Sequence, residues 1–192
     1  MKFGGYMRII AGEMRGRILK AVEGMMTRPT SDKVKGAIFN VLGDRVQDAR
    51  VLDLFSGTGN LAFEALSRGA REAVLVEKSH NAHNVIRENM DRLGIGSKTK
   101  VLLVDAFKYL ENNPDEVFNL IFLDPPYHKD LAAKSLAVLS CSSNLETNGV
   151  IIAETAKDEQ LDVTDNTSHP LEVRKISLYG DTKVWYIQRM DI

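Results

Sequence analysis

Residues 51–59 read Val-Leu-Asp-Leu-Phe-Ser-Gly-Thr-Gly. An apolar run that ends in a carboxylate and breaks at Gly57 and Gly59 predicts a buried parallel strand feeding a tight turn, and Asn60 to Arg68 behind it predicts the following helix. The loop therefore sits at the carboxyl end of a strand. In an open α/β sheet a nucleotide-like ligand docks there, because glycine permits close backbone approach and the helix start offers free N–H groups.

The loop alone leaves the ligand open. Gly57, Gly59 and Ala62 also satisfy the dinucleotide fingerprint with alanine as its last member, so a nicotinamide or flavin cofactor stands beside S-adenosylmethionine (SAM), and a turn that simply needs glycine is the bland account. Asp53 favours SAM. A buried carboxylate suits the amino group and sulfonium of a cationic ligand and sits badly near a pyrophosphate.

The alternation continues along the chain. Strands are expected at Val51 to Phe55, Ala73 to Glu77, Val101 to Asp105, Leu120 to Leu123 and Val150 to Glu154, with helices at Ala82 to Leu93 and Leu131 to Leu139. Glu111 to Glu116 is a turn-rich stretch, and Lys157 to Pro170 a polar surface connection. Val173 to Leu178 and Lys183 to Gln188 flank Tyr179-Gly180-Asp181-Thr182 as a closing hairpin. This pattern predicts an α/β fold: a mostly parallel seven-stranded sheet with helices on both faces and a C-terminal antiparallel hairpin. Ahead of it, Met7 to Lys20 predicts a short β arm, and Ser31 or Asp32 caps a helix over Lys33 to Leu42. The organisation expected is a basic arm over 1–30 and one domain over 31–192.

With 192 residues and 44% apolar content the chain can build one good core. A single Cys141 excludes a disulfide framework and a cysteine-based zinc site. The first residues lack the apolar stretch of a signal peptide and no run reaches membrane-spanning length, so a cytoplasmic protein is expected. Net charge is −1, but residues 1–35 carry +5 and the remainder −6. A basic arm on an acidic body suits phosphate contacts, and Arg8, Arg15, Arg17, Arg28 and Lys35 are the candidates. A surface that happens to be basic is the bland alternative.

Two acids occupy corresponding strand ends. Glu77 lies about twenty residues after the glycine loop, where nucleotide-binding geometry puts an acceptor for ribose hydroxyls. Asp105 ends the next strand, where with Ala106 and Phe107 it can read an adenine edge. Phe55 and Lys78 complete the cofactor set.

The second informative stretch is Asp124-Pro125-Pro126-Tyr127, directly after Leu-Ile-Phe-Leu. Neither proline donates to a ladder, so the strand stops here with carbonyls facing the crevice. An exocyclic amine on a nucleobase is a poor nucleophile, its lone pair being delocalised into the ring. Asp124 and the Pro125 carbonyl offer two acceptors that orient it and stabilise the positive charge growing on nitrogen. Tyr127 can stack on a base taken out of its helix. The histidines form no metal site: His80 and His83 lack a carboxylate or thiol partner and read as exposed polar residues, while His128, beside the loop, can reach substrate phosphate.

These motifs together resemble the RsmD-type 16S rRNA guanine-N2 methyltransferase family. The resemblance runs through Met7 to Gly12, Gly16-Arg17, Arg28-Pro29-Thr30, Ala37 to Leu42, Leu52 to Gly59, Glu64 to Ala70, Val76 to Lys78, Leu123 to Tyr127 and Tyr179-Gly180. It implies a Rossmann-like class I SAM-dependent fold methylating N2 of one guanine in 16S rRNA, with the assembled small ribosomal subunit as substrate; a monomer is expected. By matching motif, Asp53, Gly57, Gly59, Glu77 and Asp105 bind SAM, Asp124 to Tyr127 hold the guanine, and the arm contacts RNA. Lys35-Gly36 departs from the family's usual Arg-Glu, and Asn60-Leu61-Ala62 replaces a loop more often rich in Gly or Ala. The rival readings are a related enzyme acting on DNA adenine or a protein amide, a nicotinamide-dependent oxidoreductase, and a SAM-binding RNA-assembly factor without turnover.

Overall fold

The computed structural model describes residues 7–22, 31–163 and 168–190. Seven strands form one sheet in the order β3-β2-β1-β4-β5-β7-β6: β1 (Arg50–Asp53), β2 (Glu72–Glu77), β3 (Thr99–Leu103), β4 (Phe118–Leu123), β5 (Leu145–Ala156), β6 (Leu171–Tyr179) and β7 (Thr182–Arg189). Pairings from β3 through β5 are parallel, and β7 runs antiparallel to both β5 and β6. The helices are α1 (Asp32–Leu42), α2 (Asn60–Ser67), α3 (His80–Leu93), α4 (Ala106–Asn112) and α5 (Leu131–Leu139). This is the mostly parallel sheet expected from the alternation and the Rossmann-like class I architecture implied by the resemblance.

The apolar strands divide their side chains between two cores, because successive residues of a strand point to opposite faces. Val51, Leu75, Leu120, Phe122 and Ile152 pack with Ile38 and Phe39 of α1, Ala62 and Leu66 of α2 and Ile86 of α3. Leu52, Val74, Ile121, Leu123 and Ile151 pack on the other face with Tyr109 and Leu110 of α4 and Leu136 and Leu139 of α5. Both faces are covered, which is why the strands read as continuous hydrophobic runs. The strand order reverses between β1 and β4, so the crevice beyond their carboxyl ends is the topological switch point.

Some boundaries move. Ser31 is the cap of α1, its side chain accepting from the Val34 amide. β3 ends at Leu103, so Asp105 is the cap of α4 and not a strand end. The turn-rich reading of 111–116 gives way to α4 over its first two residues. β5 begins at Leu145, before a register shift between Phe118 and Leu120.

The arm is hairpin-like: Arg8 and Ile18 form an isolated antiparallel bridge, and the Ile9 amide donates to the Arg17 carbonyl at 2.9 Å. Gly12 (φ +82°) packs against α2, where an added Cβ would lie 1.8 Å from the Ser67 carbonyl oxygen. Among the described residues, no helix is long and apolar enough to cross a membrane.

Candidate functional site

The glycine loop leaves β1 and is tied to β2 at once. Ser56 donates through its amide to the Val76 carbonyl and through Oγ to the Asp53 carbonyl, and the Gly59 amide closes the turn on the Ser56 carbonyl at 2.7 Å. Gly59 sits at φ +80° as it enters α2, with an added Cβ only 2.3 Å from the Phe63 ring. Only glycine fits there. Gly57, by contrast, faces open space.

The acids expected at this crevice converge on it. Glu77 reaches across from β2, accepting from the Gly57 amide at 2.9 Å and from the Ser79 amide at 2.8 Å. Lys78 beside it is exposed and Phe55 is half-buried. Asp105 accepts from the Phe107 amide at 3.0 Å, so that amide is already engaged as a helix cap, with Ala106 buried behind it.

Asp53 is the most informative member. It is 2% exposed, and its Oδ1 is buried without a hydrogen-bond partner. Burial pushes its carboxyl up to about 8; the charge of Asp124 adds to the rise, and hydrogen bonds from the Phe55 and Ala62 amides oppose it. An orphaned buried carboxylate oxygen invites a cation, which would satisfy the acceptor and offset the repulsion from Asp124. The donor set therefore fits the ammonium and sulfonium of SAM, with Glu77 as an acceptor for ribose hydroxyls.

Asp124 follows β4 directly, on the strand paired beside β1, where Asp53 is in register with Phe122. Pro125 is buried, Pro126 exposed and Tyr127 half-buried. The Tyr127 hydroxyl lies 3.2 Å from Thr182 Oγ1 at the start of β7. The catalytic and cofactor candidates thus occupy one crevice, brought together by paired strands that are far apart in the chain.

The proposed RNA contacts divide. Arg8 lies at the crevice end, its Nε 2.8 Å from Asp32 beside the start of α1. Arg17 donates to the Arg92 carbonyl in the last turn of α3, and Arg15 follows residues whose amides bind Ser67 at the end of α2. The Arg17 side chain thus points to the last turn of α3 and Arg15 sits at the bend by the end of α2, away from the crevice, although the Arg17 backbone pairs with Ile9 next to Arg8. Arg28 lies outside the described residues.

Lys35 is a correction. It is 1% exposed, with Nζ donating to the Arg8 carbonyl and to Asn60 Oδ1 at 2.7 Å and pairing with Glu64 at 3.2 Å. Burial lowers its pKa, partly offset by Glu64. Its charge is spent inside the protein, so Lys35 holds the arm and touches no RNA.

Two structural residues escaped the sequence reading. Glu64 is fully buried and accepts from the Ile10 and Ala11 amides at 2.8 and 3.1 Å and from Arg68. Asn89 accepts from the Lys20 amide at 2.7 Å and donates to the Thr58 carbonyl at 3.1 Å, joining arm to glycine loop. The signal was available: Asn89 falls at core spacing between Ile86 and Leu93, and a polar residue there needs partners.

The chain is similar to known proteins over most of its length. The family model described as "Conserved hypothetical protein 95" matches residues 7–188. The "Ribosomal RNA small subunit methyltransferase D" of Haemophilus influenzae is 36% identical over 166 residues, covering 84% of this chain and 85% of that protein. The protein of the same name from Escherichia coli is 32% identical over 157 residues, covering 82% and 78%. The solved structure of a hypothetical protein from Thermus thermophilus superposes with a TM-score of 0.80 at 30% identity, over 94% of this chain and 98% of that one. A match over nearly the whole described chain, with relatives above 30% identity across most of their own length, means that this chain belongs to the RsmD-type family, whose model carries the description "Conserved hypothetical protein 95".

Proposed function

We propose that this protein transfers the methyl group of SAM to the exocyclic N2 amine of a guanine in 16S rRNA, acting as a monomer in the cytoplasm on the assembled small ribosomal subunit. The coarser part of this reading is an rRNA methyltransferase, the activity named for its relatives, with SAM as the methyl donor. The observation that supports the finer part is the pairing of Asp53 and Asp124 at adjacent strand ends, one buried acceptor lacking a partner and one at the start of a proline-stiffened loop.

SAM supplies an activated methyl on a sulfonium. The chain's own residues do the rest. Asp53 carries negative charge to the cationic end of the cofactor, Glu77 accepts from its ribose, and the Gly57–Gly59 turn lets the backbone approach. Phe55, Lys78, Asp105, Ala106 and Phe107 line the remainder of that half. On the other half Asp124 and the Pro125 carbonyl accept from the two amine hydrogens, holding nitrogen in line and stabilising the charge it gains. Pro126 stiffens the turn and Tyr127 offers its ring to the extruded base. The nitrogen needs no strong base beforehand, since its proton can leave late.

RNA contact is assigned to Arg8 near the crevice and to Arg15 and Arg17 towards the bend of the arm, with Arg28 a further candidate outside the described residues. Residues 1–30 are the arm and 31–192 the catalytic domain. The test is incubation of labelled SAM with small subunits lacking the modification, followed by nucleoside analysis. N2-methylguanosine is the expected product; label in another nucleoside, or in protein, would overturn the substrate assignment.

A further inference from the structure

We propose that Glu159 is a positioning residue for methyl transfer, its carboxylate holding the backbone just beyond Asp124–Tyr127 in the shape the target amine requires. This rests on the function proposed above. The loop leaves β4 at Leu123 and regains regular structure only at Leu131. Between them His128 and Asp130 have φ of +57° and +53°, a left-handed conformation disfavoured for residues that carry a side chain. Local capping does not hold them there: Asp130, at the start of α5, makes no side-chain cap bond.

Long-range contacts do. Glu159 Oε1 accepts from the His128 amide at 3.1 Å, and Oε2 accepts from the Ala156 amide at 2.8 Å at the end of β5. The Glu159 amide returns to the Ala156 carbonyl at 3.1 Å, and the buried Lys183 donates Nζ to the Glu159 carbonyl at 2.6 Å. Alongside, the Lys157 amide donates to the Asp181 carbonyl at 2.9 Å, and the Tyr127 hydroxyl meets Thr182. Three segments distant in sequence are thereby joined: the loop after β4, the turn after β5 and the β6–β7 turn. The Ala156 contact alone is what any turn-forming acid makes. The His128 contact, 31 residues away, has no such local explanation.

Each oxygen of Glu159 takes one N–H, so the carboxylate is not interchangeable with an amide. Glu159→Gln keeps one acceptor and loses the other. Glu159→Ala loses both and frees a loop whose backbone is poised in a costly conformation. A displacement of the amine by a fraction of its hydrogen-bond distance is enough to slow transfer, because the acceptors act through alignment.

The experiment follows Glu159→Ala and Glu159→Gln by amide hydrogen exchange, SAM binding by calorimetry, and methyl transfer to small subunits lacking the mark. For the alanine variant, exchange over 127–131 is expected to quicken while 53–59 stays protected. SAM affinity is expected to hold, and kcat to fall by roughly 10- to 100-fold, with the glutamine variant between it and wild type. Adding His128→Gly to Glu159→Ala is expected to recover part of the missing kcat, since glycine adopts a positive φ without the clash. A purely architectural role would not show that rescue. Unchanged exchange over 127–131, or loosening of both loops with SAM affinity falling in step, overturns the proposal. Absence of transfer by the wild type would instead strike the assigned reaction, and the exchange pattern would still decide whether Glu159 holds the loop.

Discussion

Asp53 and Asp124 stand at the carboxyl ends of paired strands, and the charge of the second helps keep the first protonated: burial and Asp124 together raise the Asp53 carboxyl from 3.8 to about 8. The crevice is therefore built with an electrostatic cost that a bound cation offsets.

The pH dependence follows from that shift. A carboxyl whose folded pKa lies above its unfolded one binds more protons when folded, so its contribution to stability is full below about 4 and is lost as pH rises through about 8. Asp53→Asn removes this loss. The variant's melting temperature relative to wild type, both without cofactor, is expected to climb from acid to mildly alkaline pH and then level off. A constant offset would mean that Asp53 is already ionised in the folded protein.

SAM binding should show the same linkage from the other side. A cation beside Asp53 favours the carboxylate, so binding near neutral pH expels a proton, and the calorimetric enthalpy should vary with the ionisation enthalpy of the buffer. Asp53→Asn is expected to weaken binding and abolish that variation. Buffer-independent enthalpy in the wild type would count against Asp53 as the partner of the cationic group.

Gly59→Ala tests the loop. At φ +80° and with its Cβ pressed into the Phe63 ring, the substitution is expected to cost about 1–3 kcal/mol of stability by urea denaturation, and to lower SAM affinity because the turn must shift. A neutral outcome would show that the loop relaxes freely.

How much was readable depended on the range of the interaction. Val51–Gly59 and Asp124–Tyr127 declare themselves locally, through β-prone runs ended by glycine or proline, and the order of strands and helices follows from them. Lys35 and Glu64 do not. On a helical wheel a lone charge is an exposed residue, and only packing of the arm against α2 turns these two into a buried pair. Asp105 was displaced for a related reason: the chain bends after Leu103, and a carboxylate that can cap the next helix favours starting α4 over extending β3. Glu159 lay within a stretch whose polar texture read as connection, since its partner His128 is remote in sequence.

The buried pair yields its own expectation. Glu64→Ala strands the Lys35 charge and leaves the Ile10 and Ala11 amides without their acceptor, for a loss of about 3–5 kcal/mol in urea denaturation. Limited proteolysis should then cut within 7–22 first. A loss below about 1 kcal/mol would be the mark of a surface ion pair.

Salt dependence separates the cations. Arg8→Ala should weaken binding of both a short guanine-bearing RNA and the whole subunit. Arg15→Ala with Arg17→Ala should act only on the subunit, reducing the slope of log affinity against log salt by roughly 0.7 for each phosphate that is no longer neutralised. An equal effect on the short RNA would contradict the direction of these side chains, away from the crevice.

The central claim is that Asp124 orients the amine and does not serve merely to bind the cofactor. Single-turnover transfer from labelled SAM to unmodified small subunits, comparing wild type with Asp124→Ala at saturating SAM, tests it most directly. The account predicts N2-methylguanosine formed by the wild type and a rate reduced by on the order of a hundredfold or more in the variant, with SAM still bound. Transfer by the variant at the wild-type rate would contradict it.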